Sequence, residues 1–178
     1  MCFICEGGTN EQYNQHLHEQ IVSRGFALAP VGSGWSHRGF VYTIGLVDSR
    51  NHPELVVINF ELGRAVTVLE MLASSVVEGT RFEAGGTSVE LGAEIGFRQV
   101  RARHLRRGLM AGWSSYYRDV GRFDLEASAL QVVLPDEGRC YECQPTQPNL
   151  DGDRHVSFMG PGRQARQAHL QRPRKGKR

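Results

Sequence analysis

The sequence predicts an α+β fold: a single compact domain with a mixed or largely antiparallel sheet of about five or six strands and about three packed helices. Three observations carry this expectation. Residues 39–46 and 54–60 are rich in β-branched and aromatic side chains and flank a polar loop holding Asp48, Asn51 and Pro53, as two strands of one sheet do. Apolar residues recur at helical spacing in three other stretches. Strand-like and helix-like runs do not alternate regularly, which favours α+β over a sheet built from repeated βα units.

In chain order, Thr9 and Gln12 have the capping-box spacing, so a helix should begin there. Tyr13, Leu17 and Ile21 form its apolar stripe, and Arg24 with Gly25 supplies a basic last turn and a glycine stop. His16 and His18 are about 200° apart on that helix and read as solvated. Residues 26–31 alternate like a strand, and Pro30 places it at an edge. Residues 32–38 form a glycine- and serine-rich loop. Ala65, Leu69, Leu72 and Val76 predict a helix over 64–78 that stops at Gly79. Residues 87–91 are a short strand candidate and 97–104 a basic one. Leu105, Leu109, Gly112, Trp113 and Tyr116 describe a further helical face, in which Gly108 and Gly112 point to close packing or a ligand alongside. The nearly continuous apolar run at 128–134 suits a central strand covered on both faces. A turn at 135–138 leads to a short strand or knuckle at 139–143.

The domain boundaries follow from composition. Residues 1–145 form the α+β domain, 146–160 an extended edge segment, and 161–178 a basic tail. Hydrophobic residues make up 40% and charged residues 22% of the 178, a globular rather than a disordered balance. No apolar run is long enough to span a bilayer, and no secretory signal is visible, so the expected address is cytoplasmic. The tail carries seven Lys and Arg and no acid, which leaves 14 basic against 19 acidic groups in residues 1–160. The body is mildly acidic and only the tail is basic. With one large apolar residue, Leu170, the tail cannot offset its ordering entropy and should be disordered in isolation.

Met1, Cys2 and Cys5 at the start, the run Phe40, Val41, Tyr42, Thr43, Ile44, Gly45, Leu46, then His52, Pro53, Glu54, Leu55, and the late Leu130, Gln131, Val132, Val133, Leu134, Pro135, Asp136 together resemble a bacterial family known as domain of unknown function 4262. The resemblance covers roughly residues 1–145. It implies neither an activity nor catalytic residues. Where members of that family have a tryptophan-rich ending after the last strand, this chain has Cys140 and Cys143.

All four cysteines fall in two C-x-x-C pairs, Cys2 with Cys5 and Cys140 with Cys143. Such turns aim two thiolates at one cation, and two of them complete the tetrahedral shell of a structural zinc. Against one shared site, 134 residues separate the pairs, far beyond the usual zinc-ribbon distance of about 15 to 20. A thioredoxin-like redox role needs the motif at a helix start after a strand, a poor fit to either pair. Unrelated reduced cysteines are the third reading.

Other chemistry is sparse. No nucleophile elbow, P-loop or dinucleotide fingerprint is present, which disfavours covalent hydrolases, nucleotide phosphotransfer and Rossmann dehydrogenases. Tyr42, Thr43, His52 and Trp113 are the candidates for a ligand pocket, with His52 either a general base or a loop histidine bonded to backbone. Arg98, Arg101, Arg103, Arg106 and Arg107 form a basic segment that either meets phosphate or guards a strand edge. In the tail, Arg163, Arg166, Arg172, Arg174, Lys175, Lys177 and Arg178 could attract nucleic acid weakly and without sequence preference, or merely solubilise. Three functions therefore stand. The first is a regulatory or accessory domain with a structural zinc on Cys2, Cys5, Cys140 and Cys143. The second is an enzyme or ligand-binding domain with a pocket around Tyr42, Thr43, His52 and Trp113. The third is non-specific nucleic-acid binding.

Overall fold

The computed structural model describes residues 7–32, 39–89, 91–135 and 149–152. The four cysteines, most of the loop at 32–38, the edge segment beyond Gly152 and the basic tail lie outside these.

The first helix, α1 (Asn10–Arg24), is set by its ends. Thr9 Oγ1 accepts the Gln12 amide at 3.2 Å and Gln12 Oε1 accepts the Thr9 amide at 3.0 Å, the reciprocal box expected from the spacing. At the other end Gly25 adopts φ +86 and its N–H donates to Ile21 O at 2.8 Å. Leu17 is buried, with Tyr13 and Ile21 packed beside it. His16 and His18 are exposed.

The strands are β1 (Ala27–Val31), β2 (Phe40–Ile44), β3 (Glu54–Ile58), β4 (Thr87–Ser88), β5 (Ile95–Gln99) and β6 (Ala129–Val133). They form one sheet in the order β1-β2-β3-β6-β5-β4. The β3–β6 pair is parallel and every other pair antiparallel, so the sheet is mixed. Pro30, which has no N–H to give a ladder, sits on the edge strand β1 opposite Val41.

Helices cover both faces. On one, α3 (Leu62–Val77) sets Leu69, Leu72 and Val76 against Val41, Leu55, Val57, Leu130 and Val132. On the other, α1 and α5 (Ala111–Asp119) pack against Phe40, Tyr42, Val56 and Ile58. Burial on both faces explains why β2, β3 and β6 read as continuous apolar runs instead of alternating ones.

Among the described residues there are five helices, more than the three expected, and the extra ones arise from local breaks. The polar loop after β2 contains α2 (Leu46–Arg50). The basic stretch 97–104 is a strand only to Gln99; α4 (Ala102–Arg106) follows. The helical face drawn through Leu105 and Tyr116 is interrupted because Gly108 has φ +93, a left-handed backbone that cannot continue an α-helix. Of the described residues among 87–91, Thr87 and Ser88 join the sheet. No helix among the described residues is long and apolar enough to cross a membrane.

The α1–β1 corner is a sensitive point. A Cβ on Gly25 would lie 3.0 Å from Val77 Cγ2 and would carry an unfavourable positive φ. Gly25→Ala should therefore lower stability by about 1–2 kcal/mol, read as a lower urea midpoint with an unchanged m-value.

Candidate functional site

Glu54 opens β3 and is fully buried, on the same face of the strand as Val56 and Ile58. Five donors converge on it. Oε1 accepts the Gly45 amide at 2.9 Å, the Val47 amide at 3.3 Å and the Trp113 indole N–H at 3.2 Å. Oε2 accepts the Thr43 hydroxyl at 2.6 Å and the Leu46 amide at 3.3 Å. Gly45 is the N-cap of α2 and has no side chain, so Glu54 satisfies the amides that begin this helix. Thr43 in turn accepts the Leu55 amide at 2.8 Å, which holds β2 and β3 together where their ladder diverges. No cation pairs with Glu54 among the described residues. Burial lifts the carboxyl from 4.5 to about 7, against the pull of Thr43 and the three amides.

Next to Trp113, the Gly112 amide donates to Tyr42 Oη at 3.0 Å. Met110, the N-cap of α5, offers no side-chain bond, so the Tyr42 hydroxyl takes over the capping. This contact demands glycine: a Cβ at position 112 would stand 2.5 Å from Tyr42 Oη. Burial pushes the Tyr42 phenol well above its ordinary range, with the nearby Tyr13 adding to this and the Gly112 and Trp113 amides opposing it. Tyr42 thus keeps its proton.

Tyr42 also forms part of the floor of a cleft of about 600 Å³. The cleft runs along the outer edge of β1, between α1 and α3, and ends at the turn from Gly108 to Gly112. Tyr13, Leu17, Leu28, Phe40 and Leu109 provide apolar wall. Its polar rim is tied internally. Arg24 pairs with Glu70 across the edge, donates to Gln20 Oε1 at 2.7 Å and to Phe26 O at 3.1 Å, while Gln20 Nε2 lies 2.7 Å from His16 Nε2.

A family model described as domain of unknown function (DUF4262) matches residues 20–150. The chain belongs to this family. No curated protein and no solved structure matches it. The match spans all six strands, so Glu54, Tyr42 and Gly112 fall within the DUF4262 region, while Cys2 and Cys5 fall outside.

Within the DUF4262 domain, three of the four pocket candidates form one connected group and the fourth does not. Thr43 and Trp113 share Glu54, and Tyr42 joins them through the Gly112 amide. Of these only Tyr42 reaches the cleft. His52 belongs to the α3 face: its Nε2 accepts the Phe82 amide at 3.0 Å, its Nδ1 lies 2.6 Å from Pro53 O, and its ring meets Phe82 edge-on. This matches a neutral ring carrying its proton on Nδ1, and burial lowers the pKa to favour that form. His52 therefore works as a backbone brace. In the basic segment, Arg101 and Arg103 donate to the carbonyls of Asp151 and Gly152, whereas Arg98, Arg106 and Arg107 are exposed. Cys2, Cys5, Cys140, Cys143 and the seven tail cations lie outside the described residues. Among the described residues no group of three or more His, Cys, Asp or Glu could hold a metal.

The residue missed from sequence is Glu54. Its signal was a charge at the head of a strand buried on both faces, where an acid needs donors from several segments.

Glu54→Gln brings an amide NH₂ against donors and should cost about 1–3 kcal/mol of stability in denaturant unfolding. The pH dependence has a definite sign. The unfolded chain loses the Glu54 proton near 4.5 and the folded chain near about 7, so the folded state holds more protons in between. The Glu54 contribution to stability accordingly falls as pH rises through that window, and the deficit of Glu54→Gln should narrow. Taking the difference between the two proteins cancels His52, whose lowered pKa makes stability rise with pH up to about 6.5.

Proposed function

We propose that this DUF4262 domain is a small-molecule-binding module whose ligand is largely apolar and occupies the cleft between α1, the β1 edge and the Gly108–Gly112 turn. The observation that carries this reading is the cleft itself. Its volume of about 600 Å³ falls in the range of ligand sites, roughly 300–1,000 Å³, and its walls are apolar around a single buried hydroxyl. Binding is favoured over catalysis because the charged rim groups Arg24 and Glu70 are paired with each other, while His16 lies against the neutral amide of Gln20.

The test is a titration of the full chain with a panel of alkylbenzenes and long-chain alcohols, followed by amide NMR shifts. Saturable shifts should concentrate at Leu109, Gly112, Leu28 and Leu17. Ala111→Trp, at an exposed position on the cleft lip, should weaken binding at least about tenfold while changing stability by no more than about 0.5 kcal/mol. Shifts scattered over the surface, or none that saturate, would remove the reading.

A structural zinc on Cys2, Cys5, Cys140 and Cys143 is a separate proposal that rests on the paired C-x-x-C spacing. Metal analysis should then find about one zinc per chain, lost in Cys140→Ser with Cys143→Ser. A metal-free wild-type protein, purified without chelator, would end it.

A further inference from the structure

We infer that the cleft selects apolar molecules that carry a carbonyl or comparable oxygen acceptor, and that the Tyr42 hydroxyl is the donor that positions this oxygen. The inference rests on the reading of the cleft as a ligand site and adds the chemical class of the ligand.

Its basis is the use of each part of the Tyr42 hydroxyl. The oxygen accepts the Gly112 N–H at 3.0 Å, with the Trp113 amide beside it, so the start of α5 is spent on the oxygen lone pairs. Among the described residues nothing takes the hydroxyl proton. Tyr42 is 2% exposed yet lines the cleft, so the unused proton belongs to a buried group facing the cavity. A hydroxyl donates one hydrogen bond, and leaving a buried donor unmade is costly. An oxygen acceptor on the ligand resolves this, whereas a pure hydrocarbon does not.

The surroundings define the acceptor further. The two amides polarise the O–H from behind and strengthen its donation. The phenol holds its proton, so it acts as a donor throughout the neutral range. The guanidinium of Arg24, the only Lys or Arg lining the cleft among the described residues, is committed to Glu70, Gln20 and the Phe26 carbonyl, which removes a strong counter-ion for a carboxylate. A neutral oxygen, such as a ketone, ester or amide carbonyl, is therefore the better match than an anion. Gly112 and the Tyr42 oxygen fit each other so closely that the donor is fixed in place before a ligand arrives.

The experiment compares butylbenzene with 4-phenylbutan-2-one, in which a carbonyl replaces one methylene. Affinities are measured for the full chain and for Tyr42→Phe. Tyr42→Phe should weaken binding of the ketone about 3- to 10-fold more than it weakens binding of butylbenzene, the range for one hydrogen bond. In wild type the carbonyl stretch of the bound ketone should lie below its position in hexane, a readout that needs no variant. Equal effects of Tyr42→Phe on both probes, or a bound carbonyl that matches hexane, would overturn this inference and leave the cleft reading standing. If neither probe binds wild type, the cleft reading itself falls and this one with it.

Discussion

A carboxylate removed wholly from water costs several kcal/mol unless the protein replaces the lost solvation with donors of good geometry. Glu54 imposes that condition on this fold, and its five donors come from places the sequence keeps apart: the end of β2, the first turn of α2, and α5 almost sixty residues further on. Much of the topology follows from the need to assemble them. The backbone must swing at Gly45, with φ +120 and a Cβ there excluded by the Gly25 carbonyl oxygen at 3.0 Å, for the α2 amides to face the carboxylate. Helix α5 must lie so that the Trp113 indole reaches the same oxygen. The Gly112 amide is one residue away, so fixing Trp113 also fixes the amide that meets Tyr42. The cleft floor is thus held by a buried acid that never touches the cleft.

The elements legible in the sequence were those written in local chemistry. Thr9 with Gln12, Arg24 with Gly25, Pro30 on an edge, and the stripe through Leu69, Leu72 and Val76 each concern side chains within a few positions of one another, and each took the expected form. The elements that were not legible depend on partners far along the chain. Helix α2 has five residues, too few for a periodic apolar face, and exists because Glu54 satisfies its first amides. Gly108 could be counted as a tolerated glycine within one long helix, since composition does not reveal its positive φ.

The site divides along the same line. Tyr42, Thr43 and Trp113 stood out as polar or aromatic residues in apolar surroundings, and the structure links them. The hub that links them, Glu54, looks from sequence like an ordinary strand-entry acid. His52 stood out for the same reason as Tyr42, yet its partner is the amide of Phe82, thirty residues downstream. Backbone donors have no signature in a sequence, so a histidine braced on one cannot be told from a histidine awaiting a substrate. The two glycines were a sounder signal. Gly112 marked a close approach, that of the Tyr42 hydroxyl, whereas a Cβ on Gly108 would meet nothing within 4 Å and that glycine serves a left-handed backbone instead.

The location of the cleft follows from the way the sheet ends. A sheet covered on both faces still has to close its outer edge, and unprotected edges invite pairing with other chains. Here α1 and α3 flank β1 from opposite faces, but the strand thickness keeps them from meeting over it. The Arg24–Glu70 pair bridges that gap, while Pro30 removes one donor from the edge. What lies beneath the bridge is space lined by side chains that are half-buried from one direction only, such as Leu28, Val31 and Tyr13. Unlike a cavity within a close-packed core, such space at a sheet edge leaves both cores intact. A ligand that fills it would remove apolar area from water at about 25 cal/mol per Å² and stabilise the edge strand β1.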